Sequence, residues 1–382
     1  MRVRNAFCLL AVLLFIAGSR AQTAPASRAL ALEQQGQWAE AAEAWGQVIQ
    51  QDPRDAGAYA SLGVVLSKEQ KFQEAASAYR KALALNPKLP GIQLNLGLAE
   101  FKQGRFQAAI APLRAALSSD PQSVQARTLL GLSYYGSGQF AQAAKHLEIV
   151  SLSNPSSLEL RGVLAQSCLW AKNYSCALEQ FRKILEQDPN SATAHILMGE
   201  ALDGLGRTAQ AIAEFQAAAK ASPREPNVHF GLGYLYWKSH QYEEAKREFE
   251  TEASLDPTNA QAVAYLGDTE MRRDNIESAI PLLRKAIQMK NDFRLAYVDL
   301  GAILTRQKQY SQAVRILQRA VELDPAEPDA HYRLARVFQA MGRAEESRAE
   351  FAKVRDLHAR ADESLVRKMS SSPPPLDQKQ QP

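Results

Sequence analysis

Apolar residues recur along this chain in pairs of helical stripes, and the pairs themselves recur. Between Ala56 and Leu89 one stripe runs through Tyr59, Leu62, Gly63 and Leu66, and a second through Phe72, Ala75, Tyr79 and Ala82, closing at Pro87. Steps of three and four put each stripe on one face of a helix, so the segment predicts two amphipathic helices. Proline at 53, 87, 121, 155, 189, 223, 257 and 325 keeps a step of 34 residues, or once twice that, with Asn291 in the vacant place. Setting proline at position 32 of the unit gives ten repeats, starting at residues 22, 56, 90, 124, 158, 192, 226, 260, 294 and 328. A register held this long belongs to an array of one supersecondary unit, which buries its core by stacking on its neighbours.

Breakers and small residues fall in phase with the stripes. Gly36, Gly104, Gly138, Gly206 and Gly342, all at position 15, end the first helix. The Asp-Pro or Asn-Pro pair ends the second, since proline bars the helical conformation for the residue before it and supplies no amide donor. Position 8 is glycine in most repeats (Gly63, Gly97, Gly131, Gly199, Gly233, Gly267, Gly301) and position 20 is alanine from Ala41 to Ala313, which lets the paired helices approach closely. Pro112 and Pro281 lie within second helices and predict local bends.

The resulting W/Y-x2-LG-x2-Y…A-x3-F/Y…P pattern resembles the tetratricopeptide repeat over residues 22–361. That resemblance implies an all-α α-solenoid, a right-handed superhelix of about ten helix-turn-helix units with the first helices lining its inner face. The first repeat departs with Pro25 and Arg28 at positions 4 and 7, which suggests a polar capping turn. The last departs with Ser347 and Ala359, and its second helix is expected to run on to Met369. Residues 362–382 then read as a helix extension followed by a disordered Pro/Ser/Gln tail from Ser370.

Composition changes the picture at the N-terminus. Arg2 and Arg4 form a positive n-region and Ala6–Ala17 an apolar h-region; Ser19-Arg20-Ala21 then supplies small residues for a cleavage site before Gln22. The h-region is far shorter than the ~20 residues a membrane span needs, and no later run is long and apolar enough. Residues 1–21 are therefore expected to be a signal peptide cleaved after Ala21, leaving a periplasmic or secreted chain without stable membrane insertion. Loss of Arg2, Arg4 and Arg20 would leave 42 basic against 41 acidic residues. A nearly neutral chain without a basic stripe excludes nucleic acid as a partner class.

Motifs that carry chemistry are missing. Gly204-Leu205-Gly206 and Gly231-Leu232-Gly233 resemble pieces of phosphate loops but follow no strand, and repeat phase accounts for Gly206 and Gly233. His195, His229 and His331 share position 4, a packing slot between repeats, and should stand too far apart to hold one ion. The expectation is no enzyme, no metal and no cofactor. Cys168 and Cys176, at positions 11 and 19 of the fifth repeat, are a candidate disulfide; the alternative is two small buried hydrophobes.

In the family, positions 2, 5, 6, 9, 12 and 13 of the first helices line the ligand groove. Here they hold Leu94, Leu98, Phe101, Leu132, Tyr135, Leu169 and Trp170, then Ile196, Phe230, Tyr234, Trp237, Tyr265 and Met271. Glu200, Asp203, Asp268 and Asp299 punctuate the second stretch. The chaperone-type clamp for a terminal carboxylate is absent: Asn95 fits, but Ala60, Val64, Gln125 and Leu129 do not. An asparagine ladder at position 6 is likewise limited to Asn95. What remains is a groove for apolar and aromatic side chains whose acidic second half would receive Lys or Arg. The chain is thus expected to be an exported, non-enzymatic scaffold that binds an extended peptide or partner helix, in envelope assembly, secretion or polymer export. A structural spacer or self-assembling array, and an accessory subunit of an envelope enzyme such as a glycosyltransferase, are the alternatives.

Overall fold

The computed structural model describes the backbone of residues 24–371 and the side chains of residues 25–363. The expected signal peptide and the tail from residue 372 onward lie outside the described residues. Within them the chain forms twenty helices and no strand, an all-α helical-repeat solenoid. It divides into two compact halves, the first ending at Pro189 and the second beginning at Asn190.

The N-terminal half holds α1 (Ala24–Gln34), α2 (Trp38–Gln51), α3 (Ala56–Lys68), α4 (Phe72–Leu85), α5 (Ile92–Lys102), α6 (Phe106–Ser119), α7 (Val124–Gly136), α8 (Phe140–Ser153), α9 (Leu158–Trp170) and α10 (Tyr174–Leu185). The C-terminal half holds α11 (Ala192–Gly204), α12 (Thr208–Ala221), α13 (Val228–Lys238), α14 (Tyr242–Leu255), α15 (Ala260–Arg272), α16 (Ile276–Met289), α17 (Arg294–Arg306), α18 (Tyr310–Leu323), α19 (Pro328–Ala340) and α20 (Ala344–Ser371).

Local chemistry sets the boundaries. Asp55, Ser123, Ser157 and Asn259 precede first helices and accept hydrogen bonds from their opening amides. Asp52, Asn86, Asp120, Asp256 and Asp324, each just before a repeat proline, accept from the amide two residues on. These Asx turns redirect the chain where proline forbids more helix. Asn291 keeps the missing rung by another route: its carbonyl accepts from Tyr297 Oη at 3.0 Å. The carbonyls of Pro121, Pro155, Pro223 and Pro325 receive the same six-residue reach from Arg127, Arg161, His229 and His331.

The glycines at position 8 face the large residue at position 24 of the paired helix rather than only the alanine at 20. A Cβ on Gly97 would stand 2.5 Å from Leu113, and one on Gly199 2.7 Å from Phe215. The hairpins therefore close by seating a Leu, Phe or Tyr over a bare backbone. Pro112 and Pro281 sit inside α6 and α16, which continue through them. Pro25 falls in the first turn of α1, where its missing amide is not needed, so the first repeat opens on a helix and not on a capping turn. The last helix, α20, runs 28 residues, past Met369 to Ser371.

Candidate functional site

First-helix side chains form two aromatic clusters, one in each half. In the N-terminal half Tyr135 stacks on Trp170 with ring centroids 5.5 Å apart, and Phe140 meets both, at 6.0 and 4.9 Å. Tyr135 Oη donates to Gln166 Oε1 at 2.5 Å, and burial raises the phenol's pKa. Trp170 is 46 % exposed, an open indole face on a platform its neighbours hold rigid. Phe101 packs edge-on against Phe106 beside half-buried Leu98. Phe106 and Phe140, at position 17 of their repeats, are not among the groove residues read from the sequence; their regular recurrence reads as packing, yet Phe140 completes this platform and Phe106 backs Phe101.

Beside it, Cys168 and Cys176 are joined, with Cα atoms 5.7 Å apart. The bridge ties α9, which ends on Trp170, to the first turn of α10.

In the C-terminal half Tyr265 is the hub. Phe230, Tyr234 and Trp237 pack on it edge-on at 5.7, 5.7 and 5.3 Å, Phe249 stacks on it at 5.6 Å, and Phe293 lies 6.2 Å away. Burial, then the charges of Tyr234, Asp268 and Asp299, pushes its phenol up to about 12. The expected open aromatic wall is here a self-packed one. Phe230, Tyr234, Trp237 and Tyr265 are all half-buried, because residues four apart on one helix also meet the next first helix. Met271 likewise packs into the core around Leu283 and Ile303.

The acidic residues differ from expectation too. Asp268 is fully buried: its Oδ2 accepts from Trp237 Nε1 and from Arg272 Nε, the latter at 2.6 Å. The Arg272 guanidinium also lies 4.9 Å from the centre of the Trp237 ring, a cation–π contact. Asp203 already holds Lys238 Nζ at 2.8 Å, and that hydrogen bond raises the lysine's pKa. Asp299 is buried beside Asp268. Glu200 alone of the four is exposed, and partial desolvation of its carboxyl raises its pKa.

The position-4 histidines, half-buried or buried, also bond within their own repeats. His195, His229 and His331 place Nδ1 2.6, 2.6 and 2.5 Å from Glu214, Glu248 and Glu350 at position 23 of the same repeats. Among the described residues no group of three or more His, Cys, Asp or Glu could hold a metal ion, and no helix is long and apolar enough to cross a membrane.

Tetratricopeptide repeat models match residues 27–90 and 66–124, and then 100–167, 134–201, 169–232, 204–266 and 304–367. The chain belongs to the tetratricopeptide repeat family. Among solved structures, it is similar to MamA MSR-1 C2 at 27 % identity and TM-score 0.39, over 43 % of this chain and 95 % of that one. Its similarity to YrrB, described as a TPR protein with an unusual peptide-binding site, is 22 % identity and TM-score 0.40 over 50 % and 100 %. The APC/C hetero-tetramer Cut9–Hcn1 aligns over 87 % of this chain and 81 % of its own at 15 % identity and TM-score 0.50, which shows a shared helical-repeat fold. No curated protein matches the chain. Tetratricopeptide repeat proteins typically act as non-enzymatic interaction scaffolds, so the fold suggests protein or peptide partners.

Proposed function

We propose that this repeat protein is exported and holds an extended peptide or a partner's helix against its first helices, with Trp170 as the principal anchor. The exposed Trp170 indole, backed by Tyr135 and Phe140, carries the reading. A large aromatic held rigid and left open offers contact area at little entropic cost, the composition of a binding hot spot. Gln166 and the Tyr135 hydroxyl beside it supply polar contacts for a peptide backbone. The C-terminal half offers an aromatic face of its own, closed on itself, and Glu200 of that half is an exposed acidic residue open to contact. Export is supported by the signal-like residues 1–21 and by the Cys168–Cys176 bridge, which suits an oxidising compartment. In this reading the protein serves envelope assembly, secretion or polymer export.

The test is capture from an envelope extract by the mature chain, with Trp170→Ala and Trp237→Ala compared at unchanged helicity. Trp170→Ala is expected to cost about 2 kcal/mol or more of partner affinity, and Trp237→Ala less. A partner retained equally by wild type and Trp170→Ala moves the binding face away from this platform.

A further inference from the structure

Asp268 on α15 and Asp299 on α17 hold positions 9 and 6 of successive first helices, and are 0 % and 3 % exposed. Asp268 Oδ2 is occupied by Trp237 and Arg272. Its Oδ1 has no donor, nor has Asp299 Oδ2, and the charge of Asp268 acts on Asp299. Two ionised carboxylates offer only acceptors, so a hydrogen bond between them requires a proton on one. A single O–H on Asp299, donating to Asp268, satisfies both groups.

We propose that Asp268 and Asp299 bind one proton between them, and that this proton fastens the first helices of the eighth and ninth repeats behind the aromatic wall of the C-terminal half. The groups around the pair fit one bound proton. Arg272 shares α15 and engages Asp268, while Arg333 acts from α19; both favour the charged form of Asp299. Burial and the Asp268 charge oppose them, so Asp299 holds its proton well above the usual carboxylate range. Tyr265 on α15, pushed up to about 12, stays neutral and does not compete. Tyr234 on α13 stacks on Trp237, and Tyr242 at the start of α14 sits 5.9 Å from the Arg272 guanidinium. Of the other charged groups on these helices, Glu270 of α15 pairs with Lys246 and Arg273, Arg294 and Arg306 of α17 with Asp329 and Asp274, and His331 of α19 with Glu350. Glu277, Arg284 and Lys285 of α16 and Arg315 and Glu322 of α18 are exposed, and Arg319 pairs with Glu322.

The folded state thus keeps this proton to a higher pH than the unfolded chain. The stability it contributes is complete below the ordinary carboxylate range and is lost as pH rises through the raised value of Asp299, by up to about tenfold in the unfolding constant per pH unit. Released, the proton leaves two negative charges in a dry junction that Trp237 and Tyr265 rest on. The wall is tight in acid and looser in alkali. This regulates the face assigned above and rests on that assignment, whereas the proton itself can be read on the protein alone.

The experiment follows amide hydrogen exchange of α15 and α17 in the full mature chain, corrected for intrinsic rates, from weakly acidic to weakly alkaline pH. Carbon-13 NMR of the aspartate carboxyls in wild type reads the pair directly. Protection is expected to fall with pH in wild type and to stay flat and higher in Asp299→Asn, whose amide donates to Asp268 at every pH. Asp299→Ala, with neither donor nor proton, is expected to be flat and less protected. Equal pH slopes in wild type and Asp299→Asn, or an Asp299 carboxyl already ionised at weakly acidic pH, overturn the shared proton. The expected slope together with failed partner capture sustains the proton pair and counts only against the groove.

Discussion

Every repeat solves the same problem at position 15, and half of them solve it without glycine. Gly36, Gly104, Gly138, Gly206 and Gly342 take φ between 71° and 76°, while Gln70, Lys172, His240, Asp274 and Lys308 take φ between 58° and 62° at the equivalent place. The turn from first to second helix requires a left-handed residue, and a side chain there costs roughly 1–2 kcal/mol. Lys308 is exposed, so Lys308→Gly removes this penalty and little else; a gain of about 1 kcal/mol is expected after the extra entropy of glycine in the unfolded chain. The mirror experiment is Gly138→Ala. A Cβ there meets nothing within 4 Å, so an expected loss of about 1 kcal/mol is purely conformational. Urea midpoints at constant slope would check both, and a Lys308→Gly variant no more stable than wild type would sink the argument.

At the scale of the helix, what was legible in sequence is what chain-local physics decides. The Asp/Asn-Pro stops, the glycines at 15 and the paired stripes follow from residues within one turn of each other, and the helices follow them. At position 4 the residue types are visible in sequence but the His–Glu pairing is not, because the partner is 19 residues away on the opposing helix. The packing of the groove is hidden for a related reason, since Tyr265 is half-buried and Asp268 fully buried by residues from neighbouring repeats that the pattern of one helix does not reveal. The position-4 to position-23 bond also exposes a weak joint. Where three repeats pair His with Glu, the fifth pairs Arg161, 7 % exposed, with neutral Gln180, and leaves Arg161 Nε without a partner. Gln180→Glu would supply the missing carboxylate to a buried guanidinium. A charge-assisted bond in place of a neutral one is expected to stabilise the N-terminal half by about 1 kcal/mol. Chemical denaturation at neutral pH should show this gain, and it should vanish at a pH low enough to protonate the introduced carboxylate.

Across the whole molecule the two halves carry opposite proton linkages. In the N-terminal half His146 on α8 stacks on Tyr134 at 5.6 Å, with its Nδ1 buried and unbonded. Burial lowers its pKa, and Arg127, Lys145 and Arg114 lower it further. The imidazole is therefore held neutral in the folded state while the unfolded chain accepts a proton near the ordinary histidine value of about 6.5. Its contribution is present above that value and is lost as pH falls through the lowered one, the reverse of the Asp268–Asp299 pair. Acid should thus loosen α7 and α8 while it tightens α15 and α17. Hydrogen exchange resolved by helix would show protection falling on the acid side in the first pair and on the alkaline side in the second. His146→Phe keeps a ring against Tyr134 and removes the titration, so it should abolish the acid-side loss in α7 and α8 and leave α15 and α17 unchanged. An acid-side loss that persists in that variant assigns the linkage to other groups of the N-terminal half; one that disappears makes each half its own pH-responsive element within a single repeat array.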